Sequence, residues 1–180
     1  MKITNSVAIF SDLDGTFCFQ DKIHGIERLR TASDSDPGDS IVKQPGRDSE
    51  VFALDWGRGS IGVYVDIATL IRIRVLQRLG LPLIPVTGAR ANTMIPRFHS
   101  MPFIEGAVIE NGGRIVDREM NDNQEWEDHL SAQVAALKTM EKYLESQGIK
   151  MDNKGRKAMI RIRLQDNPHM TKEMFDLFFR

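Results

Sequence analysis

The first patterned stretch is VAIF at 7–10, four apolar residues in a row. Continuous rather than alternating apolar character suits a parallel strand covered on both faces, so these residues are predicted as a fully buried strand. The next clear period begins near Val63. Ile67, Leu70, Ile71, Val75 and Leu79 recur at helical spacing and read as the apolar face of one helix, with Asp66 placed to cap its start and Gly80 to stop its end. LPLIPV at 81–86 reads as a second strand. Strand, helix, strand in that order favours a crossover and a parallel sheet. Pro85 removes a ladder donor, which a strand tolerates near its end.

Further on, ANTMIPRF at 91–98 predicts a short helix disturbed by Pro96, and AVIENGGRIV at 107–116 predicts two short strands around an Asn-Gly-Gly turn. Trp126, Leu130, Val134, Leu137 and Leu144 mark one face of a long helix ended by Gly148. AMIRIRL at 158–164 alternates, with Ile160, Ile162 and Leu164 on one side and Arg161 and Arg163 on the other, and predicts a strand whose arginines form a solvated face. The closing TKEMFDLFFR starts like a helix and stops on uncapped apolar residues, so the chain is expected to be an incomplete protein. Between the patterned parts, residues 31–59 are rich in Ser, Asp, Gly and Pro. That stretch is expected to be an exposed, mobile insertion, too polar to offset its own ordering entropy.

Composition narrows the picture without deciding it. The 180 residues are 41% hydrophobic and 27% charged, ordinary for a soluble globular protein of one domain or one and part of a second. Lys plus Arg number 24 against 25 for Asp plus Glu, so a net charge of -1 gives no argument for a nucleic-acid or anionic-membrane partner, and neither is expected. The single cysteine, Cys18, excludes an internal disulfide, and no early apolar run is long enough for a signal peptide or a spanning helix. A reducing, cytoplasmic location is the expectation. With no His beside it, Cys18 reads as a small buried side chain rather than a nucleophile.

The chemistry is concentrated in SDLDGTF at 11–17, where Asp12 and Asp14 follow the first strand. Residues beyond the carboxyl end of a parallel strand face the crevice in which open α/β sheets bind ligands. Two carboxylates about 4 Å apart repel by on the order of 4 kcal/mol at an effective dielectric near 20, so a cation or a shared proton is expected. Mg²⁺ suits the place, since it accepts few carboxylates and keeps waters that a phosphate can displace. A calcium loop of the EF-hand kind needs its glycine at the sixth position, whereas Gly15 is fourth from Asp12. GRGSIG at 57–62 matches a dinucleotide-binding pattern, but VYV after it favours strand over helix and no acidic residue lies about 20 positions beyond.

DLDGT after an apolar strand resembles the first motif of the haloacid dehalogenase superfamily, and PLIPVTGAR resembles its second. IENGGRIV matches the Asn-Gly hairpin that follows the second motif in members with a large cap, and the run through the acidic EWE stretch is similar to a sugar-phosphatase-like capped subgroup. The resemblance implies a three-layer, Rossmann-like α/β core with a parallel sheet over residues 1–116, interrupted by the 31–59 insertion, and an incomplete α+β cap over 117–180. It implies that Asp12 is the nucleophile forming an aspartyl-phosphate and that Asp14 protonates the leaving oxygen and then takes a proton from water. Thr87 would bind the phosphoryl group, helped by backbone N–H groups around Leu13, Asp14 and Gly88, and the metal would sit between the Asp12 side chain and the Asp14 carbonyl. A mobile hairpin flap around 57–62 is implied as well.

Arg90, three residues after Thr87, is the better candidate for substrate contact, while Asn111 serves equally as a turn residue. The family's third-motif lysine and late acidic motif have no match; Lys172 comes too early, and the one Gly-Asp pair, Gly38-Asp39, lies in the polar insertion. The expected activity is Mg²⁺-dependent hydrolysis of a small phosphorylated metabolite such as a sugar phosphate. A phosphomutase, or a non-catalytic binding module lacking those two motifs, is the alternative.

Overall fold

A computed structural model describes residues 8–13, 16, 18–20, 27–28, 40–44, 47–54, 63–101 and 103–171. In chain order the elements are β1 (Ile9–Asp12), β2 (Cys18–Gln20), β3 (Glu27–Arg28), β4 (Ser40–Gln44), β5 (Arg47–Leu54), β6 (Val63–Asp66), α1 (Ile67–Arg78), β7 (Leu83–Val86), α2 (Ala91–Ser100), β8 (Gly106–Ile109), β9 (Arg114–Asp117) and α3 (Gln124–Ser146). The chain is mixed α/β and divides into two compact units, Met1–Asn123 and Gln124–Arg180.

The first unit holds a four-stranded, mostly parallel sheet in the order β1-β7-β8-β9. β1 lies parallel to β7 from Ile9↔Leu83 to Asp12↔Val86, β7 parallel to β8 at Val86↔Val108, and β8 antiparallel to β9 from Gly106↔Asp117 to Ile109↔Arg114. Pro85 is fully buried in β7, where the ladder to β8 registers only at Val86 and leaves little demand for the missing donor. The fully buried first strand predicted at 7–10 is corrected. β1 begins at Ile9, and its exposure alternates, with Phe10 64% exposed. The pleat sends alternate side chains to opposite faces of the strand, and the face that carries Phe10 and Asp12 is left uncovered.

A second sheet, order β2-β6-β5-β4-β3, is antiparallel throughout. β4 and β5 fall inside the 31–59 stretch expected to be an unstructured insertion, and they pair over five positions from Ser40↔Val51 to Gln44↔Arg47. Average polarity over the stretch hid two β-forming clusters, IV at 41–42 and VFAL at 51–54, whose backbone ladder supplies the order. The GRGSIG stretch, with the flap expected there, lies outside the described residues.

α1 starts as its sequence predicts. Asp66 accepts a bond from the Thr69 N–H at 3.0 Å, and the helix ends with Gly80 at φ 76°, where the Gly80 and Leu81 N–H groups bond the Gln77 and Leu76 carbonyls. Its buried face is a correction. Ile71, Val75 and Leu79 are each more than half exposed, while Ile73 enters the core and Leu70 packs beside it. α2 runs on through Pro96 and buries Met94, Arg97 and Phe98 at the spacing of one helical stripe. The core of this unit gathers Leu13, Cys18, Val65, Leu83, Phe98 and Ile104. The Cys18 sulfur lies 3.8 Å from that of Met101, as befits a small buried side chain.

In the second unit α3 closes with a Schellman turn: the Gly148 N–H bonds the Glu145 carbonyl at 2.9 Å and the Ile149 N–H that of Leu144 at 3.0 Å, with Leu144 and Ile149 both buried. The strand predicted at 158–164 is reduced to a single bridge, Met151↔Ile162, followed by a 3-10 turn at Leu164–Asp166. Buried Asn167 takes over the pairing, accepting from the Lys150 N–H and donating to the Lys150 and Arg163 carbonyls. Arg161 and Arg163 are exposed and paired with Asp152 and Asp166. No helix among the described residues is long and apolar enough to cross a membrane.

Candidate functional site

Three neighbouring strands of the parallel sheet end beside one another. Asp12 is the last residue of β1, Thr87 follows directly on β7, and Glu110 and Asn111 follow directly on β8. Because Asp12 pairs with Val86, the residue before Thr87, and strands lie about 5 Å apart, Asp12 and Thr87 occupy the same carboxyl-terminal edge.

Asp12 is exposed, and its carboxylate turns back on its own loop. One oxygen accepts from the Leu13 N–H at 2.9 Å, the other from the Thr16 hydroxyl at 3.4 Å. Leu13, whose side chain is fully buried, directs its N–H at the Asp12 carboxylate, whereas it was expected to help Thr87 hold a phosphoryl group. Asp14 lies outside the described residues.

Thr87 is buried. Its hydroxyl accepts from the Ala89 N–H at 3.1 Å, and its own N–H donates to the Val108 carbonyl at 2.9 Å, so the loop after β7 is shaped by Thr87 and anchored to β8. Gly88 is half-buried between these contacts, and Arg90 stands in extended geometry as the N-cap residue of α2. The loop after β8 is tied to the same segment: the Glu110 N–H donates to the Ala89 carbonyl and the Asn111 N–H to the Thr87 carbonyl, both at 3.1 Å.

Glu110 was not singled out from the sequence, yet it is 2% exposed at the end of β8. Its carboxylate lies 3.6 Å from the Arg114 guanidinium, which in turn holds Asp122 through two bonds of 2.6 and 3.0 Å. Burial works against the Arg114 charge, but the hydrogen bond and charge of Asp122, with Glu110 behind them, outweigh it and raise the guanidinium's pKa. The one available signal was the charged residue between the apolar AVI and the NGG turn; its partners become neighbours only when the hairpin forms.

For a metal, the described residues of this edge offer the Asp12 carboxylate, and among the described residues no group of three or more His, Cys, Asp or Glu could hold an ion. One carboxylate with water and substrate phosphate suits Mg²⁺, which dehydrates reluctantly and seldom uses an all-protein cage. A groove of about 660 Å³ in the second unit is lined mainly by apolar side chains, Leu137, Met140, Leu144, Met159 and Ile162, with Arg161 at its wall, and includes none of Asp12, Leu13, Thr87, Gly88 and Arg90.

No protein-family model matches the chain, and no curated protein matches it.

Proposed function

We propose that the chain carries the nucleophile of a Mg²⁺-dependent phosphomonoester hydrolase acting on a small phosphorylated metabolite, a sugar phosphate being the leading candidate. The observation that supports this reading is the meeting of Asp12 and Thr87 at one carboxyl-terminal edge, through the parallel register Asp12↔Val86. A carboxylate and a hydroxyl on adjoining strand ends, with loop N–H groups beside them, is the equipment a phosphoryl group requires. In this reading the first unit is part of a three-layer core of the haloacid dehalogenase kind, the second is part of an α+β cap, and the protein works in the cytoplasm.

The chemistry divides the work among these residues. An Asp12 oxygen attacks phosphorus, the bond from phosphorus to the leaving oxygen breaks, and a proton from Asp14 goes to that oxygen. Water then attacks the aspartyl-phosphate, Asp14 takes its proton, and the bond from phosphorus to the Asp12 oxygen breaks, releasing phosphate. The Thr87 hydroxyl holds a phosphoryl oxygen while Arg90 contacts the substrate. Mg²⁺, held by the Asp12 carboxylate and the Asp14 carbonyl, would offset the repulsion between carboxylate and phosphate.

Release of phosphate from p-nitrophenyl phosphate with Mg²⁺ tests the assignment. Asp12→Asn is expected to bring release to background, and Asp14→Asn to lower it by about 10²- to 10⁴-fold. Release that survives Asp12→Asn would overturn the nucleophile, and an isomerised ester in place of free phosphate from a hexose phosphate would make the enzyme a mutase.

A further inference from the structure

The turn between β8 and β9 holds an unfavourable backbone shape. Glu110 and Asn111 take φ of 53° and 54°, and Gly112 follows at 97°. Two consecutive non-glycine residues in the left-handed region cost stability, and such strain persists only where the surroundings hold it. Here they do. The two N–H bonds to the Thr87 and Ala89 carbonyls lock the turn onto the loop after β7, and the buried Glu110 carboxylate, backed by Arg114 and Asp122, holds it from behind.

That locking sets the Asn111 side chain against Gly88. Its Oδ1 lies 2.8 Å from the point a Cβ on Gly88 would occupy, with Cγ at 3.5 Å and Nδ2 at 3.6 Å. The absence of a side chain at Gly88 is what admits the amide, and Asn111 is exposed at the edge that carries Asp12. A left-handed backbone alone would be served by glycine at less cost. What asparagine adds is a planar amide with two N–H donors and an acceptor oxygen.

We propose that Asn111 is a ligand-contacting residue of this edge, its side-chain NH₂ donating to an oxygen of the phosphoryl group held at Thr87 and Gly88; the proposal rests on the phosphoryl-transfer reading above. The backbone bonds fix the turn that carries the amide before the ligand arrives, so only the Asn111 side-chain rotamer is left for binding to order.

Affinity of the full chain for inorganic phosphate in the presence of Mg²⁺, measured by calorimetry, is the test. Asn111→Gly keeps the left-handed turn and deletes the amide; it is expected to weaken phosphate binding about tenfold while leaving the thermal midpoint unchanged or higher. Asn111→Asp keeps the size, replaces the donor with an anionic oxygen, and is expected to weaken binding further. If Asn111→Gly binds phosphate as the unaltered chain does while Thr87→Val loses about tenfold, the role of Asn111 is overturned and the reading of the edge stands. If the unaltered chain binds no phosphate, both fall.

Discussion

Gly88 and Gly106 each leave room that an added methyl group would contest, in both cases with an oxygen at 2.8 Å, and the consequences differ. At Gly106 the oxygen is the Val116 backbone carbonyl, fixed by the β8–β9 ladder; at Gly88 it is the end of the Asn111 side chain, which can rotate. Gly106→Ala is therefore expected to destabilise by about 1–3 kcal/mol in denaturant unfolding, and Gly88→Ala by no more than about 0.5 kcal/mol. Equal losses would show that Asn111 is held as firmly as backbone. Asp12 and Thr87 were legible as residues because a carboxylate or hydroxyl straight after an apolar run declares itself within a few positions. Glu110, Arg114 and Asp122 were not, since an acid between hydrophobic and glycine residues reads as a turn until Arg114 is brought to it by the hairpin. The gap at Gly106 was equally hidden, because the atom that fills it belongs to the facing strand.

Helix α3 carries an element-scale prediction with a definite sign. Glu141 accepts from Lys138 Nζ and from Asn153 Nδ2, both at 2.9 Å, and these bonds hold its carboxyl below the ordinary 4.5 against the opposing effect of burial. A carboxyl depressed in the folded state stabilises fully above its unfolded value and loses that contribution as pH falls through the folded one. Stability of the unaltered chain relative to Glu141→Gln is thus expected to be greatest above about pH 4.5 and to shrink below it, by about 1 kcal/mol at most because Lys138 is 52% exposed. A difference that stays flat from about pH 3 to pH 7 would remove Glu141 from the account. Helix ends were legible: Asp66, Gly80 and Gly148 each act on backbone groups within five residues of themselves. The buried face of α1 was not, because apolar residues on more than one side leave the choice to whatever packs against the helix. Nor was the β4–β5 hairpin read, although Pro45-Gly46 between its strands is a turn signal. The alternation at 158–164 misled for the converse reason, since a period of two makes a strand only where another strand is there to pair.

For the whole molecule, a ligand that binds only the folded chain raises its stability by mass action, about 2.7 kcal/mol at a concentration 100 times its Kd. Mg²⁺ together with inorganic phosphate is accordingly expected to raise the thermal midpoint of the unaltered chain and to leave that of Asp12→Asn where it was; an equal rise in both would take Asp12 out of the binding site. The same dependence on remote partners separates what could be read early from what could not. The sequence by itself determined where α1 begins and ends and where α3 ends, that a turn interrupts 107–116, and that Asp12 and Thr87 would stand at strand ends, because caps, turns and short apolar runs act between neighbours along the chain. Only the tertiary structure decided that β1 exposes Phe10, that part of a polar stretch pairs into a sheet, that Ile73 rather than Ile71 is buried, and that Asn111 lies against Gly88. The exposure of Phe10, the burial of Ile73 and the contact of Asn111 with Gly88 depend on atoms brought close from far along the chain, about which a local pattern carries no information, whereas the β4–β5 pairing is local and was hidden by the polarity of its surroundings.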